Sequence, residues 1–294
     1  MREFTVFAPA KLNLYLDVFE KRSDGYHNIK TLFEKIDLKD EIIIREKGKG
    51  VNITAEPATC PSGEDNIVYR ALQFLFKEAR VNLDLEILIK KKIPVSGGLG
   101  GGSSDAAAVL RSINEVFELG VNEGRLFFIA GKTGKDVPFF MMDASFAIGM
   151  GAGDLLKPVD TDGCFSHIVI KPDASIATSE MYKRLDETDF TSRGQNIEET
   201  VSSLEKKDVT LLNRSCYNIF EGVLAEEKDV VEKAKTLLRD AGAGHSFLSG
   251  SGPSVFCTVK EKKEAMEILN RIPKEENRGI YLATTYKGGI YGDN

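Results

Sequence analysis

The residues best suited to chemistry lie in one glycine-rich turn. The segment from Ile93 to Ala107 reads IPVSGGLGGGSSDAA, with five glycines in six positions between a strand-like and an alanine-rich stretch. Glycines permit positive φ angles and let a ligand approach the backbone with no Cβ in the way. Where such a turn opens a helix, free N–H groups and the helix dipole attract an anion. A phosphate site is therefore predicted here, the alternatives being a flexible linker or a close helix–strand contact.

Two familiar glycine fingerprints do not fit this turn. A P-loop needs Lys directly after its last glycine, whereas Ser103 follows Gly102, and the Gly-Lys-Thr at 131–133 lacks the first glycine. A dinucleotide fingerprint that begins at Gly98 meets Ser103 where its third glycine should stand. The turn is thus a phosphate site of another kind, in which the Ser103 or Ser104 hydroxyl caps the helix or reaches a phosphate or its Mg²⁺.

Two further places carry side chains suited to a ligand. Lys11 interrupts the apolar run 8–14, and a lysine in such a strand needs a partner. Tyr26 and His27 follow Asp24-Gly25, a turn signal. An aromatic ring there can stack on a base, and the His ring or adjoining backbone can bond the base edge. The alternative is a loop tyrosine that packs on the sheet.

The hydrophobic pattern predicts the elements that position these residues. In the first half, alternation between polar turns predicts an antiparallel sheet with strands over 4–8, 12–18, 29–36, 41–45 and 51–54, and a further strand over 83–89. Helical spacing predicts helices over 66–79, 104–117 and 122–132.

The second half alternates differently, beyond a glycine- and aspartate-rich stretch at 149–162. Strands over 166–171, 246–248, 255–259 and 279–285 alternate with helices over 179–185, 230–240 and 262–272, the pattern of a split β-α-β layer. We therefore predict an α+β fold of two domains. Residues 1–155 form a mixed sheet with helices that carry the glycine-rich phosphate loop, and residues 156–294 form a ferredoxin-like split β-α-β domain.

Composition narrows the function classes. The 294 residues carry a net charge of −6, which argues against a general nucleic-acid binder. Four cysteines stand far apart with no C-x-x-C pair, which argues against zinc and for reduced thiols. The N-terminus has no signal-peptide pattern, and no apolar run reaches the roughly 20 residues of a membrane helix. We expect a soluble, cytoplasmic protein with no membrane partner.

Several segments in order resemble a known superfamily, that of galactokinase, homoserine kinase, mevalonate kinase and phosphomevalonate kinase. The form Gly-Leu-Gly-Gly-Gly-Ser-Ser-Asp-Ala-Ala at 98–107 is similar to that of the 4-diphosphocytidyl-2-C-methyl-D-erythritol kinase family of the non-mevalonate isoprenoid pathway. The segments 9–14, 24–27, 136–140 and 242–254 agree, so the likeness runs from Ala8 to Phe256.

This resemblance implies an α+β fold whose N-terminal domain is ribosomal-S5-domain-2-like. It implies ATP with Mg²⁺ as cofactors and a cytidine diphosphate-linked sugar alcohol as substrate, in a monomer or a homodimer. Asp136 would orient and deprotonate the alcohol, with Lys11 beside it. The triphosphate would lie on Pro94, Val95, Ser96, Gly97, Gly98, Leu99, Gly100, Gly101, Gly102, Ser103 and Ser104. The substrate would contact Asn13, Tyr26, His27 and Tyr182.

Alternatives stay open for the substrate and for single residues. A smaller alcohol, homoserine- or mevalonate-like, would give Tyr26-His27 no base to bind, and a non-catalytic regulatory relative would keep the fold alone. Asp136 could instead cap a helix ahead of Val137-Pro138. Lys135 stands where the family has a small residue, and 149–154 lacks its usual Arg. The run Lys90–Lys92 is typical of a solvated face, or it favours polyphosphate approach.

Overall fold

The first sheet is built around two long antiparallel strands. The computed structural model describes residues 2–188, 196–273, 279–289 and 291. In it, β1 (Glu3–Lys21) and β2 (His27–Glu46) pair along most of their length, and each joins two segments that the pattern predicts as separate strands. Register shifts at Pro9/Ala10 and Asn13/Tyr15 break the alternation while the strand continues.

Five further strands complete this sheet. They are β3 (Val51–Glu56), β4 (Leu85–Lys90), the hairpin of β5 (Phe146–Met150) and β6 (Leu155–Pro158), and, from much later in the chain, β8 (Tyr217–Asn218). The order is β3-β4-β2-β1-β8, with β5 on β2 and β6 on β5. Helices α1 (Ile67–Ala79), α2 (Gly101–Val116), α3 (Glu123–Thr133) and α4 (Val137–Met141) share a core with it.

The second sheet lies in the C-terminal half. Its order is β11-β7-β10-β9, all antiparallel, formed by β7 (Ser166–Ile170), β9 (Phe247–Leu248), β10 (Val255–Val259) and β11 (Ile280–Thr284). The helices of this half are α5 (Thr178–Asp186), α6 (Ile197–Lys206), α7 (Val209–Ser215), α8 (Lys228–Asp240) and α9 (Lys262–Arg271). Short 3₁₀ helices span Gly63–Asp65 and Ile219–Val223. The predicted helices and strands of this half are present, and α6 and α7 are additions to them.

The glycine-rich stretch near 150 is a hairpin turn, not a linker. Gly151 and Gly153 both adopt positive φ and connect β5 to β6. The predicted boundary between residues 155 and 156 thus falls at the start of β6, which pairs with β5 in the first sheet. The division into domains 1–155 and 156–294 stays a prediction, since β6 and β8 both attach later residues to the N-terminal sheet.

A buried polar network joins the two sheets. Glu34 Oε1 on β2 lies 3.0 Å from Nε2 of His167 on β7 and accepts a 2.6 Å hydrogen bond from Thr285 Oγ1. The other ring nitrogen of His167 lies 3.0 Å from Thr258 Oγ1 on β10. Glu34 and His167 are fully buried. Polar contacts as well as apolar packing therefore fix the position of the two sheets relative to each other. Across the described parts of the chain, no helix combines the length and apolar character that a membrane crossing requires.

Candidate active site

One cleft of about 470 Å³ gathers most of the predicted site residues. Its walls include Lys11, Asn13, Asp136, Tyr182 and the turn from Pro94 to Ser103. Gly250 and Ser251, from the second glycine-rich loop, close its other side. Ser104, Tyr26 and His27 are not among the residues that line it. Residues far apart in the sequence thus meet at one solvent-accessible place.

Helix α2 begins three residues earlier than predicted, at Gly101. Gly100 occupies the N-cap position in the left-handed conformation, so neither Ser103 nor Ser104 caps the helix. The first N–H with an intrahelical acceptor belongs to Ser104, which donates to Gly100 O at 2.9 Å. The three N–H groups before it, at 101–103, remain available for an anion at the positive end of the helix. The Ser104 hydroxyl is buried and finds no partner among the described atoms.

The second glycine-rich loop packs directly on the phosphate turn. A Cβ on Gly98, whose φ is +74°, would lie 2.2 Å from Ser249 O. Ser249 Oγ also donates a 3.2 Å hydrogen bond to Gly98 O. The segment 249–254 is the tight connection between β9 and β10, and through Gly250 and Ser251 it is also a wall of the cleft.

A buried lysine supports the turn from beneath. Lys91 Nζ lies 2.5 Å from Asp40 Oδ2 and 2.6 Å from Asp105 Oδ2, and all three side chains are at most 8% exposed. Asp40 Oδ1 also accepts hydrogen bonds from the N–H groups of Lys92 and Ile93. The prediction of a solvated lysine run is wrong for Lys91, which pairs with acids distant in the sequence. Asp105 is paired with this lysine, and burial raises the pKa of Asp105 to about 7 despite the opposing charge of Lys91.

Lys11 and Asp136 form an ion pair within the cleft. Lys11 Nζ lies 3.8 Å from Asp136 Oδ2, and the side chains are 5% and 36% exposed. Burial lowers the pKa of Lys11, and the charge of Asp136 opposes this. Lys11 Nζ donates to Asn13 Oδ1 at 2.5 Å, while Asn13 donates to Thr31 Oγ1 at 2.7 Å. Asn13 therefore holds the ammonium group in place.

The capping alternative for Asp136 finds no support in the geometry. Asp136 stands at the N-cap position of α4, yet its side chain makes no capping hydrogen bond. The segment that follows it, 137–141, is buried and anchors the backbone. The carboxylate is thus fixed at a helix start, accessible in the cleft and beside a buried cation, an arrangement suited to orienting a hydroxyl and accepting its proton.

The aromatic residues form a second group at the rim. His27 is buried, with Nε2 2.7 Å from Asp186 Oδ1 and its ring stacked on Tyr182 at 5.0 Å between centroids. Burial raises the pKa of Tyr182 to about 12. Tyr26 is 51% exposed. Asp186 thus engages one of the two ring nitrogens of His27. Sequence reasoning missed Asp186, although its place one helical turn after Tyr182 was a signal.

The described ranges contain no cluster of three or more His, Cys, Asp or Glu side chains that could hold a metal by themselves. Mg²⁺ commonly binds through one or two protein oxygens together with phosphates and waters. Asp136 and Ser103 both line the cleft and offer such oxygens. The residues present therefore fit a metal ion that arrives with a nucleotide.

Comparison with known proteins places this fold in a class. The family model for the GHMP kinases N terminal domain matches residues 66–147, and that for the GHMP kinases C terminal matches residues 200–278. The crystal structure of a homoserine kinase from Cytophaga hutchinsonii, 21% identical, aligns with a TM-score of 0.73 over 97% of this chain and 95% of its own, and shares the fold. The molecule is a GHMP kinase, with the α+β fold that the sequence predicts.

Closer relatives narrow the class to a family. A 4-diphosphocytidyl-2-C-methyl-D-erythritol kinase of Alkaliphilus metalliredigens is 34% identical over 94% of this chain and 95% of its own. One from Thermodesulfovibrio yellowstonii is 36% identical over 90% and 93%. A crystal structure of a 4-(cytidine 5′-diphospho)-2C-methyl-D-erythritol kinase, 27% identical, has a TM-score of 0.81 over 97% and 100%. The chain belongs to the 4-diphosphocytidyl-2-C-methyl-D-erythritol kinase family, which confirms the resemblance.

Proposed function

We propose that this protein transfers the γ-phosphoryl group of ATP to a hydroxyl of 4-diphosphocytidyl-2-C-methyl-D-erythritol, in non-mevalonate isoprenoid precursor biosynthesis. The observation that carries the proposal is the Lys11–Asp136 pair, 3.8 Å apart, in the same cleft as the N–H groups that open α2. We infer the substrate from the relatives and the chemistry from the side chains of the cleft.

The phosphate turn would bind the triphosphate. The backbone N–H groups at 101–103 have no intrahelical acceptor and lie at the positive end of α2. Phosphoryl transfer requires positioning and charge neutralisation more than covalent chemistry. Residues Pro94 to Ser103 would supply both from the backbone, since a cradle of amides needs no charged side chain.

Asp136 would orient the attacking hydroxyl and take its proton. Lys11 would stabilise charge that develops on the moving phosphoryl group, and its burial makes that interaction stronger than in water. Asn13 would keep the ammonium group directed at the reacting oxygen. Ser103 would hold Mg²⁺ together with the phosphate oxygens, and the ion would neutralise phosphate charge.

The cytidine would lie against the aromatic group. Tyr182 lines the cleft and stacks on His27, and Tyr26 stands half exposed on the neighbouring turn. Base–aromatic stacking contributes about 1–3 kcal/mol per base. A smaller alcohol would leave these rings without a partner.

We also propose a cytoplasmic location, with a small molecule and ATP as the partners. The four cysteines are free, and three of them, Cys60, Cys216 and Cys257, are buried. Thiols of this kind are typical of a reducing compartment.

An enzyme assay with the purified protein tests the proposal. ADP should form with 4-diphosphocytidyl-2-C-methyl-D-erythritol and ATP, and EDTA should abolish it. Tyr26→Ala should raise the KM of the cytidyl substrate by roughly 5- to 150-fold and leave that of ATP unchanged. Tyr26→Phe should be nearly silent, because stacking needs only the ring. No ADP above background would refute the kinase activity, whereas activity with both KM values unchanged in Tyr26→Ala would point to a smaller alcohol.

A further inference from the structure

Lys135, the neighbour of the cleft residue Asp136, connects three separate segments. Its Nζ lies 4.8 Å from the centroid of the Tyr26 ring and 2.6 Å from Asp154 Oδ2. Tyr26 belongs to the turn between β1 and β2, Asp154 to the turn between β5 and β6, and Lys135 directly precedes Asp136. The family resemblance leads one to expect a small residue at this position, so the contacts of this lysine need an explanation of their own.

We propose that Lys135 is a positioning residue that holds the Tyr26 ring in place for the substrate's base. The inference rests on the proposed function and deepens it, since it names the residue that fixes the base-stacking ring. Lys135 acts through Tyr26 and not on the substrate itself.

The geometry supports a directed contact. An ammonium group within about 6 Å of an aromatic centroid is attracted by the electron-rich face of the ring. Asp154 receives the same ammonium at ion-pair distance, which restricts the long lysine side chain to one direction. The side chains of Lys135 and Asp154 are 34% and 29% exposed, so water screens the pair only in part.

Tyr26 needs such a restraint. Its ring is 51% exposed at the end of a hairpin. Its backbone N–H bonds Asp24 and its carbonyl bonds the N–H of Arg22, which fix the main chain but not the ring. A ring that is already held loses less rotational freedom when a base stacks on it. Lys135 therefore lowers the ordering cost of binding.

The position of Lys135 in the chain adds a second consequence. It is the neighbour of Asp136, which α4 anchors. The ring that would bind the base and the carboxylate that would meet the hydroxyl are thus held by adjacent residues. Lys135 would therefore couple the position of the Tyr26 ring to that of the Asp136 carboxylate.

A double-mutant cycle tests the proposal. The variants are Lys135→Met, Tyr26→Leu and the two combined, with Lys135→Arg as the conservative variant. Lys157→Met is the matched control, because it removes one exposed lysine charge from the adjacent strand β6. The readouts are the KM of the cytidyl substrate, the KM of ATP, kcat, and the Kd of cytidine 5′-diphosphate measured by calorimetry.

Lys135→Met should raise the substrate KM and the cytidine 5′-diphosphate Kd by about 2- to 5-fold, the range of an exposed cation–π contact. Both ATP KM and kcat should stay within 2-fold of wild type, an order-of-magnitude allowance. Lys135→Arg should retain wild-type values, and Lys157→Met should change nothing. In the Tyr26→Leu background, Lys135→Met should have no further effect.

Three results would overturn the proposal that Lys135 positions the Tyr26 ring. Multiplicative losses in the double variant would mean that Lys135 contacts the diphosphate directly. A fall in kcat with unchanged KM would mean that it acts on Asp136. Wild-type values in Lys135→Met would mean that it has no role in binding. If wild type neither binds cytidine 5′-diphosphate nor forms ADP, the proposed function itself fails and this inference falls with it.

Discussion

At the scale of single residues, the proposed reacting pair is asymmetric in its access to water. The Lys11 side chain is 5% exposed and that of Asp136 is 36% exposed. A buried cation exerts a stronger field than a solvated one, because less water screens it. The carboxylate, in contrast, remains reachable for a substrate hydroxyl. Each residue thus has the environment that its proposed role requires.

Asp136→Asn should lower kcat by roughly 10²-fold or more, the usual loss on removing a positioned acid–base group, with little change in either KM. Steady-state kinetics measures this directly. Lys11→Met should also act on kcat, because its charge matters most in the transition state. A near-normal kcat in Asp136→Asn would reduce the aspartate to a structural residue at the start of α4.

At the scale of elements, the phosphate turn depends on its fit to the loop 249–254. Gly98→Ala should weaken ATP binding by at least about 10-fold, since its Cβ would lie 2.2 Å from Ser249 O and force the two loops apart. Gly120→Ala is the matched control. Gly120 has a similar φ of +70° but nothing within 4 Å of an added Cβ, so only backbone strain of about 1 kcal/mol is expected. Calorimetric titration with ATP distinguishes them, and equal affinities in both variants would contradict the packing argument.

Asp105, which is buried in the second turn of α2, should make stability depend on pH. Burial raises the folded-state pKa of Asp105 from its ordinary 3.8 to about 7, so the native protein binds this proton more tightly than the unfolded chain. The contribution of Asp105 to the free energy of unfolding is therefore fully present below pH 3.8, and it is lost as the pH rises through about 7. Asp105→Asn removes the titration and keeps the shape.

Urea unfolding between pH 5 and pH 8 provides the measurement, with the pH range chosen to bracket the value of about 7. The stability of wild type relative to Asp105→Asn should fall as the pH rises across this window. A difference that stays constant with pH, or that grows in favour of wild type, would show that Lys91 keeps Asp105 ionised throughout.

At the scale of the whole molecule, Glu34 and His167 connect the two sheets. Glu34→Ala would leave His167 and Thr285 buried without their partner, and should lower the free energy of unfolding by about 2–5 kcal/mol. Glu198→Gln is the control, because it breaks the exposed Lys30 pair, where about 0–1 kcal/mol is expected. Chemical denaturation measures the free energy of unfolding of both variants. Equal losses would show that the Glu34–His167 network adds no more stability than an exposed ion pair.

The sequence predicts local features of this molecule well and remote contacts poorly. The phosphate turn and the buried Lys11 can each be predicted from a few adjacent residues, because clustered glycines and a lysine among apolar neighbours are local signals. Lys91 pairs with Asp40, 51 positions away, and His27 with Asp186, 159 away. The sequence neighbours of Lys91 and His27 do not indicate these partners. The alternation pattern divides each long strand in two for a related reason, since the register shift at Pro9/Ala10, opposite Ile36 and Lys39, breaks the alternation without ending either strand.

The pairing of β1 with β8 also has a consequence for synthesis on the ribosome. Lys11 lies on the strand that Tyr217 and Asn218 complete, and Gly250 closes over its side chain. A nascent chain that ends at Pro158, the last residue of β6, still lacks β8, which covers the edge of β1 at Tyr15 and Leu16. Such edges recruit other chains, and they are shielded here only when the late residues emerge. We expect ribosome-bound intermediates of this length to depend on chaperones and to lack activity, because the residues that pair with β1 and close the cleft are synthesised late.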